Sequence, residues 1–121
     1  MTRRALLPLA AILVVATTSA DAVSPRAMAR LRPATAGARV LISDALAQSA
    51  TVRELVSVLA SSDLIVHVAL GRPSGGVGAA TIFVTATDDA RYVRITLDSM
   101  LPPREHIPLL AHELAHALEI A

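Results

Sequence analysis

The 121-residue sequence contains no cysteine, lysine or tryptophan, and it has one tyrosine and one phenylalanine. Without cysteine, the chain forms no disulfide and offers no thiolate to a metal ion, so any metal site must use histidine, aspartate or glutamate. A cysteine-free chain is compatible with an oxidising compartment. All eleven basic residues are arginine, which we attribute to the base composition of the gene rather than to a function.

The N-terminal segment predicts an export signal. Residues 1–4 include two arginines, residues 5–16 are an unbroken apolar run, and residues 20–22 have the small-x-small pattern A-D-A. Signal peptidases recognise this pattern. The apolar run is shorter than the roughly 20 residues that a membrane-spanning helix needs, which disfavours a membrane anchor. We therefore predict a signal peptide over residues 1–22 and a secreted or periplasmic protein with no stable membrane span after cleavage.

The charge balance excludes a basic nucleic-acid-binding surface spread over the whole chain, and we expect no nucleic acid as a partner. Removal of residues 1–22 takes away two of the eleven arginines and one of the ten acidic residues, which leaves nine of each. The mature chain is then formally neutral, whereas nucleic-acid-binding domains are typically basic. The sequence carries no indication of the oligomeric state.

Helical patterns dominate the first half of the mature chain. Residues 23–37 contain two prolines and three arginines with little apolar periodicity, so we predict a flexible lead-in before a domain over residues 38–121. Apolar residues at three-to-four spacing predict a helix over residues 38–48. Thr51 and Glu54 form a capping-box pattern, which predicts that a second helix starts there.

Three segments have the composition of β-strands, at residues 64–70, 80–86 and 91–98. Their short connections favour antiparallel neighbours, so we predict a three-stranded antiparallel meander. One face would pack on helices and the other would stay partly hydrated. The expected fold class is α+β, with two N-terminal helices, this sheet and a C-terminal helix.

The apolar patterns of the last strand and the last helix predict the core. Within residues 91–98 the odd-numbered side chains from 93 to 97 face one side, while Tyr92, Arg94 and Thr96 face the other. Residues 105–121 are helical by composition, with Pro108 in a first turn that has no backbone donor to lose. The residues predicted to share one core are Val93, Ile95, Leu97, Leu110 and Leu114.

The C-terminal helix carries the segment H-E-L-A-H at residues 112–116. Residues four apart lie about 6 Å apart along one helix face, so His112 and His116 can each offer a ring nitrogen to one ion. Two imidazoles with open positions beside them suit Zn²⁺. Glu113 reaches the same side and can take a proton from water that the ion has made more acidic. This polar face, which also includes Glu119, is predicted to lie away from the apolar stripe of the helix.

The segment H-E-L-A-H-A-L-E at residues 112–119 resembles the active-site helix of zincin metallopeptidases, especially minimal gluzincin-like ones. It is also similar to short secreted bacterial proteins with the pattern H-E-L-x-H-A-x-E. The order of elements over residues 38–121 adds weaker support, because only the motif is specific. The resemblance implies that His112 and His116 bind Zn²⁺ and that Glu113 is the general base. It further implies a peptide or protein substrate, held extended along a sheet edge.

A third zinc ligand cannot be assigned from the sequence, although a catalytic zinc normally has three. Five residues follow His116 in the chain, so neither source known in zincins, a Glu on a later helix or a His beyond a glycine, is among them. Glu119 lies too far along the axis to bind the ion, but it can orient a histidine. We expect residues 23–121 alone to bind zinc weakly and to hydrolyse peptides poorly or not at all. Three residues stay open as third ligands: Glu105, Asp98 and His67.

Other polar residues have simpler interpretations. His67 lies in an apolar strand, where a packed or edge histidine is expected, and His106 faces another side of the helix from His112. Tyr92 and Arg94 fit a solvated strand face as well as they fit a substrate contact. The alternatives to an active peptidase are a surface helix with solvated histidines, a metal- or peptide-binding domain without hydrolysis, and a truncated metallopeptidase fragment.

Overall fold

Side-chain caps determine where three helices of this protein begin. The computed structural model describes residues 23–120, and the predicted signal peptide at residues 1–22 lies outside them. Ser24, Thr35 and Ser49 each accept a hydrogen bond of 3.1 Å from the backbone N–H three residues later. These caps pair donors that the first turn of a helix leaves free. The elements in chain order are α1 (Pro25–Ala29), β1 (Leu31–Pro33), α2 (Ala36–Gln48), α3 (Ala50–Leu59), β2 (Leu64–Gly71), β3 (Ala79–Ala86), β4 (Arg91–Asp98) and α4 (Pro103–Ile120).

The predicted helices are present, with corrected starts. The helix expected over residues 38–48 begins two residues earlier, behind its Thr35 cap. The capping-box prediction at Thr51 and Glu54 is wrong, because Ser49 caps α3 and Thr51 already lies inside that helix. Ser49 also ends α2, so one serine separates the two helices. No helix in residues 23–120 is both long enough and apolar enough to span a bilayer.

The segment predicted as a flexible lead-in, residues 23–37, contains regular structure instead. Ser24 caps α1, with Pro25 at its first position, and β1 pairs in parallel with β2 through Leu31 opposite Val66. Ala27 and Leu31 are buried in the main core. A five-residue helix and a three-residue strand are too short to leave an apolar period in the sequence, which explains why the pattern does not reveal them.

The sheet is mixed and has four strands in the order β1-β2-β4-β3. The predicted antiparallel meander is therefore wrong, although all three predicted strands exist. β4 lies between β2 and β3, parallel to β2 and antiparallel to β3. The connection over residues 72–78 is long enough to cross the end of β4, since seven residues can span about 23 Å while two strand spacings amount to about 10 Å. The lengths of the connections therefore do not predict which strands are neighbours in this sheet.

The core lies on one face of the sheet, against α2, α3 and α4. Val93, Ile95 and Leu97 are fully buried there, and so are Leu110 and Leu114 of α4, as predicted. Burial of one such side chain contributes roughly 1.5–3 kcal/mol. The opposite face, which we call the uncovered face because no helix in residues 23–120 lies across its centre, carries Arg32, His67, Tyr92, Arg94, Thr96 and Ile82.

Candidate metal centre

The helix α4 is anchored at its C-terminal end by a side chain from the sheet. Arg91, at the start of β4, donates through Nη1 to the carbonyl oxygen of Ile120 at 2.8 Å. Its guanidinium also donates to both carboxylate oxygens of Asp63, at 2.6 and 2.9 Å. The hydrogen bonds from Arg91 hold the pKa of the Asp63 carboxyl below its usual value. This pair orients the last turn of α4 relative to β2 and β4.

The other end of α4 differs from the sequence-based prediction. The helix begins at Pro103, two residues before the expected start, and proline is favoured at this first position. Pro108 consequently lies in the second turn and not in the first. At that position it removes one backbone hydrogen bond of the helix. Burial of Leu110, Leu114 and Ala117 against the sheet compensates for that loss.

The side chains of His112 and His116 lie one turn apart on the solvent side of α4. They are 66% and 48% exposed, and their Nε2 atoms are 3.0 Å apart. The two rings are perpendicular, with centroids 4.5 Å apart. A tetrahedral zinc ion with bonds of 2.0–2.1 Å would hold two nitrogens about 3.3 Å apart. The histidine nitrogens therefore converge to nearly the separation that a single ion requires.

Glu113 is buried, which corrects the prediction that it lies away from the apolar side of the helix. It is 6% exposed, and its Oε1 accepts a hydrogen bond of 2.9 Å from the hydroxyl of Thr81 in β3. Its Oε2 lies 3.9 Å from Nε2 of His112. A buried carboxylate requires a donor, and the Thr81 hydroxyl supplies one while Oε2 stays on the side of the histidines.

Glu119 occupies the position that a histidine-orienting residue would have. Its Oε2 lies 3.5 Å from Nδ1 of His116, on the far side of the ring from His112. This contact is longer than an ordinary hydrogen bond, and the Glu119 side chain is 74% exposed. The role predicted for Glu119 therefore stays a prediction, with a geometry that permits it.

One group of residues in the described part of the chain could hold a metal ion. The ligand atoms of His112, Glu113 and His116 lie within 4.8 Å of one another, and residues 23–120 contain no other group of three or more such side chains. The three candidate third ligands are not part of it. Glu105 lies in the first turn of α4, and Asp98 accepts a hydrogen bond from the backbone of Met100. His67 lies opposite Arg94 in the strand register, on the uncovered face.

Two polar contacts near this helix were not foreseen. Thr81 is 32 residues from Glu113 in sequence and reaches it only because β3 passes under α4. His106 is 5% exposed, and its Nε2 donates to the carbonyl oxygen of Asp98 at 2.8 Å. His106 thus ties the first turns of α4 to the end of β4. No local signal marks either contact, because both depend on how distant segments pack.

Comparison of the chain with models of known protein families, with curated proteins and with solved structures found no match. The group His112, Glu113 and His116 can hold a metal ion by the position of its donor atoms. Imidazole nitrogens of this kind suit zinc and several other divalent transition metals.

Proposed function

We propose that this protein binds a zinc ion through His112 and His116 and hydrolyses peptide bonds with Glu113 as the general base. One observation carries the proposal: the two Nε2 atoms are 3.0 Å apart beside a buried carboxylate whose Oε2 is 3.9 Å from one of them. Export of the protein and the peptide nature of the substrate are further parts of the proposal. They rest on the N-terminal sequence and on the resemblance to zincins.

The chemistry divides between the ion and Glu113. A zinc ion at this site would supply Lewis acidity, which polarises a peptide carbonyl and makes water more acidic. Glu113 would accept the proton of the attacking water and transfer it to the departing amine. The Thr81 hydroxyl occupies Oε1, so Oε2 is the oxygen available for this transfer.

The edge strand β3 is the proposed place for the substrate. It lies at the end of the sheet beside α4, and its sequence A-A-T-I-F-V-T-A carries no charge. Ile82, Phe83 and Val84 are each about half exposed, at 50%, 51% and 47%. An extended peptide could pair with this edge strand through backbone hydrogen bonds, while alternate side chains of the peptide contact these apolar residues.

Calorimetric titration of zinc into metal-free protein tests the ligands. We expect His112→Ala and His116→Ala to weaken zinc binding by more than about a hundredfold, since even residues outside the coordination sphere cost 10–100-fold. His67→Ala is the matched control, because it removes a histidine from the uncovered face, and it should bind zinc as the unaltered protein does. Equal affinities for all four proteins would refute the assignment.

A peptidase assay on the same samples tests the general base. Glu113→Gln should keep zinc binding and abolish turnover, whereas Glu105→Gln in the first turn of α4 should change neither. Within residues 23–120 the donor group consists of His112, His116 and Glu113, and with Glu113 as the base only two ligands are left for the ion. We therefore expect residues 23–121 alone to bind zinc weakly and to hydrolyse peptides poorly or not at all. Nanomolar zinc affinity with Glu113-dependent turnover would show that a third ligand exists.

The presence of only two histidine ligands in the described residues 23–120 supports a second candidate function, a metal-binding domain without hydrolysis. Two histidines on one exposed helix face bind transition metals without any catalytic requirement. In this case Glu113→Gln would leave every measured activity unchanged, and zinc would only stabilise the fold. Two measurements together separate the two functions. One is the peptidase assay, and the other is thermal unfolding of Glu113→Gln and of His112→Ala with and without zinc.

A further inference from the structure

The uncovered face of the sheet carries a concentration of arginine that the metal centre does not use. A cleft of about 350 Å³ opens there, between α1, the first residues of β2 and β4, and the turn before β4. Its lining includes three arginines, Arg26, Arg30 and Arg32, but a single acidic residue, Asp89. The cleft therefore has an excess of about two positive charges, although the mature chain as a whole is formally neutral.

Two of these arginines are held in place by the backbone. Arg32 donates through Nε to the carbonyl oxygen of Ala29 at 3.0 Å, and Arg30 donates through Nη1 to that of Leu64 at 3.3 Å. A guanidinium has five N–H donors, so each keeps several for a ligand. Asp63 lies close enough to Arg30 to interact electrostatically, but its carboxylate is already bonded to Arg91.

The row of side chains next to the cleft adds to the positive field. Strand register aligns Arg32 on β1, His67 on β2 and Arg94 on β4, with Ile82 of β3 at the end of the row. Arg32 and Arg94 lie on either side of His67, so their positive charges repel each other across the width of one strand. The proximity of the guanidiniums is consistent with the lowered pKa of His67, to which burial contributes most and Arg32 and Arg94 add. A bound anion would relieve this repulsion.

The rest of the cleft lining is apolar or aromatic apart from the hydroxyl of Thr87. Ile65, which is 8% exposed, and Tyr92 both belong to this lining. The volume is at the lower end of the range for small-molecule sites. A phosphate monoester carries a charge of about −1.5 to −2 at neutral pH and accepts bidentate hydrogen bonds from arginine. Its charge and shape match this lining better than those of a carboxylate.

We propose that this cleft is a binding site for a compact organic phosphate, held by Arg26, Arg30 and Arg32 with the organic part against Tyr92. The site lies on the opposite side of the sheet from the metal centre and does not depend on the proposed hydrolysis. A phosphate in this position could come from a soluble ester or from a lipid headgroup. The small volume of the cleft favours the soluble ester.

Tyrosine fluorescence provides a direct test, because Tyr92 is the only tyrosine and the chain has no tryptophan. Glycerol 2-phosphate, inorganic phosphate and acetate would each be titrated at constant ionic strength, with calorimetry in parallel. We expect saturable binding of glycerol 2-phosphate, weaker binding of inorganic phosphate, and acetate binding at least tenfold weaker. Arg26→Ala and Arg32→Ala should each weaken the ester about tenfold, the typical effect of losing a hydrogen bond to a charged group.

Arg104→Ala is the matched control, since it removes the same charge from the start of α4, and it should bind as the unaltered protein does. Circular dichroism shows whether each variant folds. If Arg32→Ala does not fold, Arg26→Ala is the decisive variant. Absence of saturable binding by both methods would overturn the proposal, as would equal weakening by Arg104→Ala. Binding to phosphatidylglycerol vesicles without binding of the soluble ester would also overturn it.

Discussion

The two faces of the sheet use polar residues in opposite ways. On the covered side of the sheet the buried side chains are aliphatic apart from His106 and Glu113, and the Glu113 carboxylate has a hydroxyl donor in Thr81. On the uncovered face Arg32 and Arg94 flank His67 without an acidic side chain in the same row. A buried charge requires a partner inside the protein, whereas an exposed one is stabilised by water. Excess charge can therefore accumulate only on the face that stays open, and this is where a ligand could neutralise it.

The largest difference in stability should appear between two isoleucine variants, one on each face of the sheet. Ile95 is fully buried on β4, and Ile82 on β3 is 50% exposed. Ile95→Ala removes core contacts and leaves a cavity, so we expect a loss of about 2–5 kcal/mol in the free energy of unfolding. Ile82→Ala should cost less than about 1 kcal/mol. Urea denaturation measures both, and similar losses would mean that a ligand or a partner covers the open face.

A smaller difference in stability should appear between two threonine variants, one on each side of the sheet. Thr81→Val leaves the buried carboxylate of Glu113 without its donor, which typically costs about 1–3 kcal/mol. Thr81→Ser keeps a hydroxyl and should recover most of that loss. Thr96→Val changes a threonine of the uncovered face and should stay within about 0.5 kcal/mol. If Thr81→Val were as stable as Thr96→Val, the contact between Thr81 and Glu113 would contribute nothing.

The smallest effect concerns the charge of the uncovered face. Burial, with a contribution from Arg32 and Arg94, lowers the pKa of His67 below its usual value. Tyr92 is the other titratable group that faces it, at 6.1 Å between ring centroids. Arg94→Ala should raise the pKa of His67, measured by NMR titration, whereas Arg39→Ala in α2 should leave it unchanged. An unaltered pKa in Arg94→Ala would show that burial alone lowers it.

The same pKa shift sets the sign of a stability change with pH. Since the pKa of His67 is lower in the folded protein than in the unfolded chain, the unfolded chain binds more protons once the pH falls below about 6.5. The contribution of His67 to stability is therefore complete above that pH and is lost as the pH falls through the folded-state pKa. Thermal unfolding between pH 7 and pH 5 should show this slope in the unaltered protein and a smaller one in His67→Gln.

The amino-acid sequence by itself determined the features that depend on neighbours along the chain. The spacing of apolar residues along the chain predicts the helices α2 and α4, the three long strands, and the alternation of Val93, Ile95 and Leu97. The approach of His112 and His116 follows from helix geometry alone, because residues four apart share a face. These features required no knowledge of the rest of the fold.

Only the tertiary structure decided which distant segments meet. The parallel pairing of β2 with β4, the role of residues 23–37 in the sheet and the burial of Glu113 under Thr81 have no local signature. The arginine cleft likewise combines α1 with the turn before β4. Such contacts join residues 27 or more positions apart, and their stability comes from burying surface that each segment exposes when alone. Local periodicity specifies which face of a segment is apolar, but packing against the whole molecule selects the partner of that face.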